Sequence, residues 1–200
     1  MKFTRQQTEF ELRLDRLACI LIKLEFLNSF TESEIFLIEH TLIRIHNEWE
    51  LFVRNFILDS ATGQFFSSTG HIKSNLFQKF ISRERACDFL LDHKPKKSEP
   101  KWYSSKEAIL AATKLELSNL SHISAVLGVT PWEIESLRLI RNFIAHKSKL
   151  SAREIRSSAI GPLSGTISPA ALAYTFSKTG AKNYECWIGF MKSISRMLIA

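Results

Sequence analysis

The chain has 200 residues, 45% of them apolar, which is enough for one substantial core and too few for two full domains. Its formal charge of +7 and pI near 9.4 favour a polyanionic partner. Three cysteines, at 19, 87 and 186, without CxxC or Cys/His ligand spacing, argue against a disulfide framework and a zinc site and fit a reducing cytoplasm.

The opening run MKFTRQQTEFELRLDR is charged throughout, and the apolar stretch LACILI stops at Lys23 and Glu25. Neither a signal peptide nor a transmembrane helix is expected. Glycine is scarce and apolar residues recur mainly at three and four, so the sequence predicts a mostly helical protein. A first amphipathic helix is expected over about 5–27, with Asn28-Ser29 as the turn. In FTESEI, Thr31 and Glu34 form a capping box while Phe30 and Ile35 stand at the staple positions. The helix that follows carries Ile38, Leu42, Ile45, Trp49, Phe52 and Phe56 on one stripe and should run to about Leu58.

From Ala61 to Tyr103 the text changes. ATGQFFSSTG reads as a loop, SRERACDFLLDH as a short helix, and KPKKSEPKWY as a basic, proline-interrupted connector. A helix over about 105–117 and the segment SHISAVLGV lead to a second capping box, Thr130-Pro131-Trp132-Glu133, which opens the helix ending in RNFIAH. The basic stretch KSKLSAREIR, a Gly/Pro/Ser loop over 161–169 and a last helix from about 181 complete the chain. The expected fold is an all-α bundle of about five principal helices in one domain, with 61–103 inserted between the second helix and the motif helix.

RNFI occurs twice, and Asp59 follows the first copy where His146 follows the second. At 100° per residue, Trp132, Ile134, Leu137, Leu139, Ile140, Phe143 and Ile144 cover more than half of the motif helix. A narrow strip is left for Glu135, Arg138, Asn142 and His146. Arg141 falls at the border of the apolar arc, where a guanidinium needs a partner or an interface. Cations at a helix C-terminus are also ordinary capping, so the pattern alone leaves a plain helix end open.

On TPWEIESLRLIRNFIAH the chain resembles the HEPN domains of prokaryotic toxins, abortive-infection proteins and CRISPR effectors, whose hallmark is R-x4-6-H late in a helix of an all-α bundle. NEWELFVRNFI resembles the family's early helix, with Glu50 as counterpart of its acidic residue and Glu48 as the alternative. Ser148 stands where members paired with a nucleotidyltransferase antitoxin often carry tyrosine. The resemblance covers roughly 30–60 and 125–200. It implies metal-independent RNA cleavage without a cofactor, in which a ribose 2′-OH attacks the adjacent phosphorus. In that chemistry His146 is acid or base, Arg141 holds the phosphate, Asn142 orients imidazole or phosphate, and Glu50 supports the site. One histidine per motif implies a two-fold homodimer, and the family implies an antitoxin or defence-system partner.

Lys147, Lys149 and Arg153, together with Lys94, Lys96, Lys97 and Lys101 of the insertion, are expected to contact RNA phosphates, with Trp102 and Tyr103 stacking on bases. For the insertion the alternative is a solvated linker. His46, Glu50 and Arg54, at successive fours, suit either support of the site or a surface ladder. A helix-turn-helix in HISAVLGVTPWEIESL is the rival: Ile123, Leu127, Val129, Ile134 and Leu137 fall at its apolar positions and Gly128 at its turn. Its reading positions, however, hold two glutamates and no base-reading arginine or asparagine. A catalytically inactive HEPN-like dimerising or ligand-binding module is the third reading.

Overall fold

The computed structural model describes residues 3–27, 29–67, 70–77, 79–92, 98–129, 132–158, 160, 166–177 and 180–200. The chain is mostly helical, as expected. Among the described residues there are nine helices: α1 (Phe3–Leu24), α2 (Glu32–Thr62), α3 (Arg83–Asp92), α4 (Ser105–Lys114), α5 (Leu120–Gly128), α6 (Trp132–His146), α7 (Lys149–Ser157), α8 (Pro169–Tyr174) and α9 (Asn183–Ile199). Four of them, α1, α2, α6 and α9, have 15 residues or more. One antiparallel hairpin, β1 (Phe65–Ser67) with β2 (Gly70–Ile72), lies within the segment expected to be loop. No helix among the described residues is long and apolar enough to cross a membrane.

The chain forms two compact units. Unit 1 takes residues 1–10, 49–130 and 193–200, and unit 2 takes 11–48 and 131–192. The capping box before α2 forms in both directions: Thr31 N–H donates to Glu34 Oε2 at 2.8 Å and Glu34 N–H to Thr31 Oγ1 at 3.3 Å. All six residues of the expected α2 stripe are buried, none more than 3% exposed. The helix continues four residues past Leu58, to Thr62. Its polar end stays helical because the Ser60 hydroxyl donates to the Phe56 carbonyl at 2.7 Å and Asp59 is paired with Arg83. Gly63, at φ +70°, supplies the left-handed residue that ends it.

In unit 1, Phe10 stacks on Phe52 at 4.5 Å between ring centroids and meets Trp49 at 6.3 Å. The described part of the expected linker packs against this unit. Glu99 accepts from Arg54 Nε at 2.7 Å, from Arg54 Nη2 at 3.1 Å and from Trp102 Nε1 at 2.9 Å. Trp102 itself is buried. The Arg54 guanidinium is the main reason the Glu99 carboxyl is pulled down to about 2. Arg54 therefore leaves the His46–Glu50–Arg54 line for a partner 45 residues on, and His46 is buried, so the line is no surface ladder.

In unit 2, the Trp187 indole donates to Ser136 Oγ at 2.7 Å, both residues being buried. Tyr184 donates to Glu25 at 2.7 Å beside the Lys182–Glu25 ion pair, and these hydrogen bonds hold the Glu25 carboxyl below its ordinary value. Two helices arise where none was expected. KSKLSAREIR forms α7, and the end of the expected loop forms α8, with Ser168 accepting from Ala171 N–H at 3.2 Å and proline at the first helical position.

Candidate functional site

The motif helix α6 lies in unit 2 and ends at His146. Ile134, Leu137, Leu139 and Ile140 are buried, and Phe143 and Ile144 are half-buried. Thr130 and Pro131 of the expected capping box lie outside the described residues. On the polar strip Arg138 is taken by Glu135, with Nε to Oε1 at 2.7 Å. Arg141 is half-buried; its Nη1 donates to Asn142 Oδ1 at 3.3 Å, and its buried Nε has no hydrogen-bond partner. No carboxylate pairs with it among the described residues. Arg141 thus sits at the apolar border, as expected, with part of its donor capacity unused.

His146 is exposed at the end of the helix. Four residues separate Asn142 from it, which at 100° per residue leaves the two about 40° apart and nearly in line, whereas Arg141 stands about 140° round the helix. One chain therefore brings Asn142 and His146 to one face and turns Arg141 to another.

Two residues join α6 to α7. Lys147, at φ +43°, donates its backbone N–H to the Phe143 carbonyl at 2.7 Å, the left-handed ending that usually falls to glycine. Its ammonium meets Glu39 at 3.5 Å. Ser148 then caps α7, accepting from Ser151 N–H at 3.1 Å while its own N–H donates to Ser151 Oγ at 3.2 Å.

An open groove of about 340 Å³ follows this corner, lined by Phe143, Lys147, Ser148, Lys149, Ala152, Arg153 and Arg156. Four of the seven are cations and none is an acid. Lys147, Lys149 and Arg153 were all expected to contact RNA, and the fold gathers them; Arg156 is the one that the sequence reading left out. Its signal was present, since 149, 153 and 156 share one helical face once the stretch is read as a helix. The α7 first turn has no acidic residue and carries Lys149, against the sense of the helix dipole, so an anion there would relieve the repulsion.

The other expected residues lie elsewhere. Glu50 is half-buried in unit 1. Glu48 is buried in unit 2 and faces Arg13 at 3.4 Å and Arg44 at 3.7 Å. Lys101 is exposed in unit 1, and Lys94, Lys96 and Lys97 lie outside the described residues. Trp102, buried with its indole N–H on Glu99, is not available to a base, which corrects its expected stacking role. Asp59, after the first RNFI, is 3% exposed and takes both prongs of Arg83, at 2.5 and 2.6 Å. Burial pushes its carboxyl above the ordinary aspartate value, with Arg83 pulling the other way. The first RNFI copy is therefore structural. Of the apolar positions required by a helix-turn-helix, Val129 is 69% exposed, which weakens that rival.

Comparison with protein-family models, with curated proteins and with solved structures found no match to this chain.

Proposed function

We propose that this protein is a HEPN-type, metal-independent endoribonuclease of the toxin or anti-phage defence class, working as a homodimer. The observation that carries the reading is an exposed His146 one residue before a groove with four cations and no acid. RNA phosphates are the polyanion such a groove attracts, and an imidazole titrates near neutrality. In the reaction, His146 removes the 2′-OH proton, the oxygen attacks phosphorus, and the P–O5′ bond breaks to leave a 2′,3′-cyclic phosphate. The departing 5′-oxygen takes a proton from a second acid, which the His146 of a second copy supplies. The position of Arg141, some 140° from His146 on its own helix, suits a guanidinium that acts on a phosphate shared between two copies. The same separation also favours the alternative, a module that binds RNA without cutting it.

The test is cleavage of labelled single-stranded RNA in EDTA by the parent, His146→Ala and Arg141→Ala. Loss of cleavage in both variants, with unchanged circular dichroism, is expected. Equal cleavage by parent and His146→Ala would sink the nuclease reading, and RNA binding without any cleavage by the parent would leave the non-catalytic module.

A further inference from the structure

Unit 1 holds a second cavity, of about 530 Å³, which the proposed function does not use. It lies among Ala61, Thr62 and Gly63 at the end of α2, His71 of β2, and the segment from Lys73 to Phe80. That segment is fastened to the turn between α4 and α5. Lys73 N–H donates to Ser118 Oγ at 3.1 Å, Ser118 N–H to the Lys73 carbonyl at 2.9 Å, Asn75 N–H to the Glu116 carbonyl at 2.9 Å, and the Ser74 hydroxyl to the Leu115 carbonyl at 2.6 Å. Gly63 adds a further constraint: a Cβ there would lie 3.5 Å from Lys73 Cβ and 3.9 Å from the His71 ring, on a backbone that disfavours any side chain. The cavity is a built feature of the fold.

Its lining is divided by chemistry. Lys73 and Lys79 bring two positive charges, no carboxylate lines the cavity, and neither ammonium has an ion-pair partner among the described residues. Thr62, Ser74 and Asn75 add neutral hydrogen-bonding groups, whereas Leu76 and Phe80 are apolar. His71 is backed by Phe66, 4.9 Å away between ring centroids. The volume falls within the range of small-ligand sites, roughly 300–1,000 Å³. A ligand that satisfies both parts has a planar, largely apolar portion and an anionic one.

We propose that this cavity is a mononucleotide site, with the phosphate held by Lys73 and Lys79 and the base accommodated by the part lined with His71, Leu76 and Phe80. The ligand is either a free nucleotide or the 5′-phosphorylated end of an RNA strand, which share this chemistry. The inference does not depend on RNA cleavage at His146.

Calorimetric titration of the full chain, as the His146→Ala protein so that no strand is consumed, tests it. The probes are the four nucleoside 5′-monophosphates, the matching nucleosides, inorganic phosphate, and a tetranucleotide RNA with and without its 5′-phosphate. At least one monophosphate or the 5′-phosphorylated strand should bind well above its unphosphorylated form. Adding Lys73→Ala and Lys79→Ala should weaken that binding about tenfold or more, the scale of losing charge-assisted hydrogen bonds, with an unchanged circular dichroism spectrum. Tighter binding of the monophosphate assigns a free nucleotide, and tighter binding of the phosphorylated strand assigns an RNA end. No binding up to millimolar concentration, affinity unchanged by the two substitutions, or inorganic phosphate binding as tightly as any nucleotide would overturn the proposal.

Discussion

Removing two cations from the α6–α7 groove tests whether it is a phosphodiester track. Lys149 and Arg153 are the suitable pair, because both are exposed and neither has an ion pair among the described residues, whereas Lys147 already faces Glu39 and Arg156 is half-buried. Lys149→Ala also relieves the first turn of α7 of a charge of the wrong sign, so the fold should not suffer. If all four cations release counterions on binding single-stranded RNA, the slope of log affinity against log salt is about −2.8, and raising salt from about 50 to about 200 mM weakens binding about 50-fold. Counting Lys147 as already neutralised by Glu39 gives about −2.1 and about 18-fold. In either case the double substitution should make the slope shallower by about 1.4. The assay is fluorescence anisotropy of a labelled single strand at four salt concentrations, in the His146→Ala background. A slope equal to that of the parent would refute the argument, because affinity can fall for many reasons but the slope reports the number of phosphates neutralised.

Three further outcomes are expected. Lys147→Gly removes a left-handed non-glycine residue, a gain of about 1 kcal/mol, and the exposed pair with Glu39, a loss of about 0.5 kcal/mol, so the melting temperature should rise slightly; a fall would contradict the strain assigned to the corner. Ser136→Ala leaves the buried Trp187 N–H without its acceptor and should cost about 1–3 kcal/mol in urea unfolding, part of it restored by adding Trp187→Phe. The Glu99 carboxyl lies at about 2 against an ordinary 4.5, so its contribution is complete above the ordinary value and is lost as pH falls through about 2. Because this side chain is 41% exposed, screening leaves about 1 kcal/mol, and Glu99→Gln should match the parent near pH 2 while being less stable at pH 7.

The parts of this fold that could be read from the sequence are those set by near neighbours. The Thr31–Glu34 box and the stripe from Ile38 to Phe56 depend on spacings of three and four, and both are realised. The same arithmetic put Asn142 and His146 on one line and Arg141 at the apolar border. α7 escaped notice because its sequence buries little, only Ser151 and Ile155, and cations dominate its text; the serine cap was its one legible signal. The hairpin escaped because its strands have three residues each, too few to show alternation. Arg54–Glu99 was beyond reach, since no local rule pairs residues 45 apart, and for that reason Trp102 was read as solvent-facing when Glu99 and the core claim it.

The joint between α6 and α7 has no slack. One residue inserted at Lys147 or Ser148 would turn everything after it by about 100° relative to what precedes it, carrying Arg153 away from Phe143 while leaving the composition of the segment almost untouched. Substitutions at the joint can be graded, but a change of length there is all or nothing. A descendant of this sequence can drift freely in spelling between His146 and Lys149 and still keep the groove, provided it keeps the count.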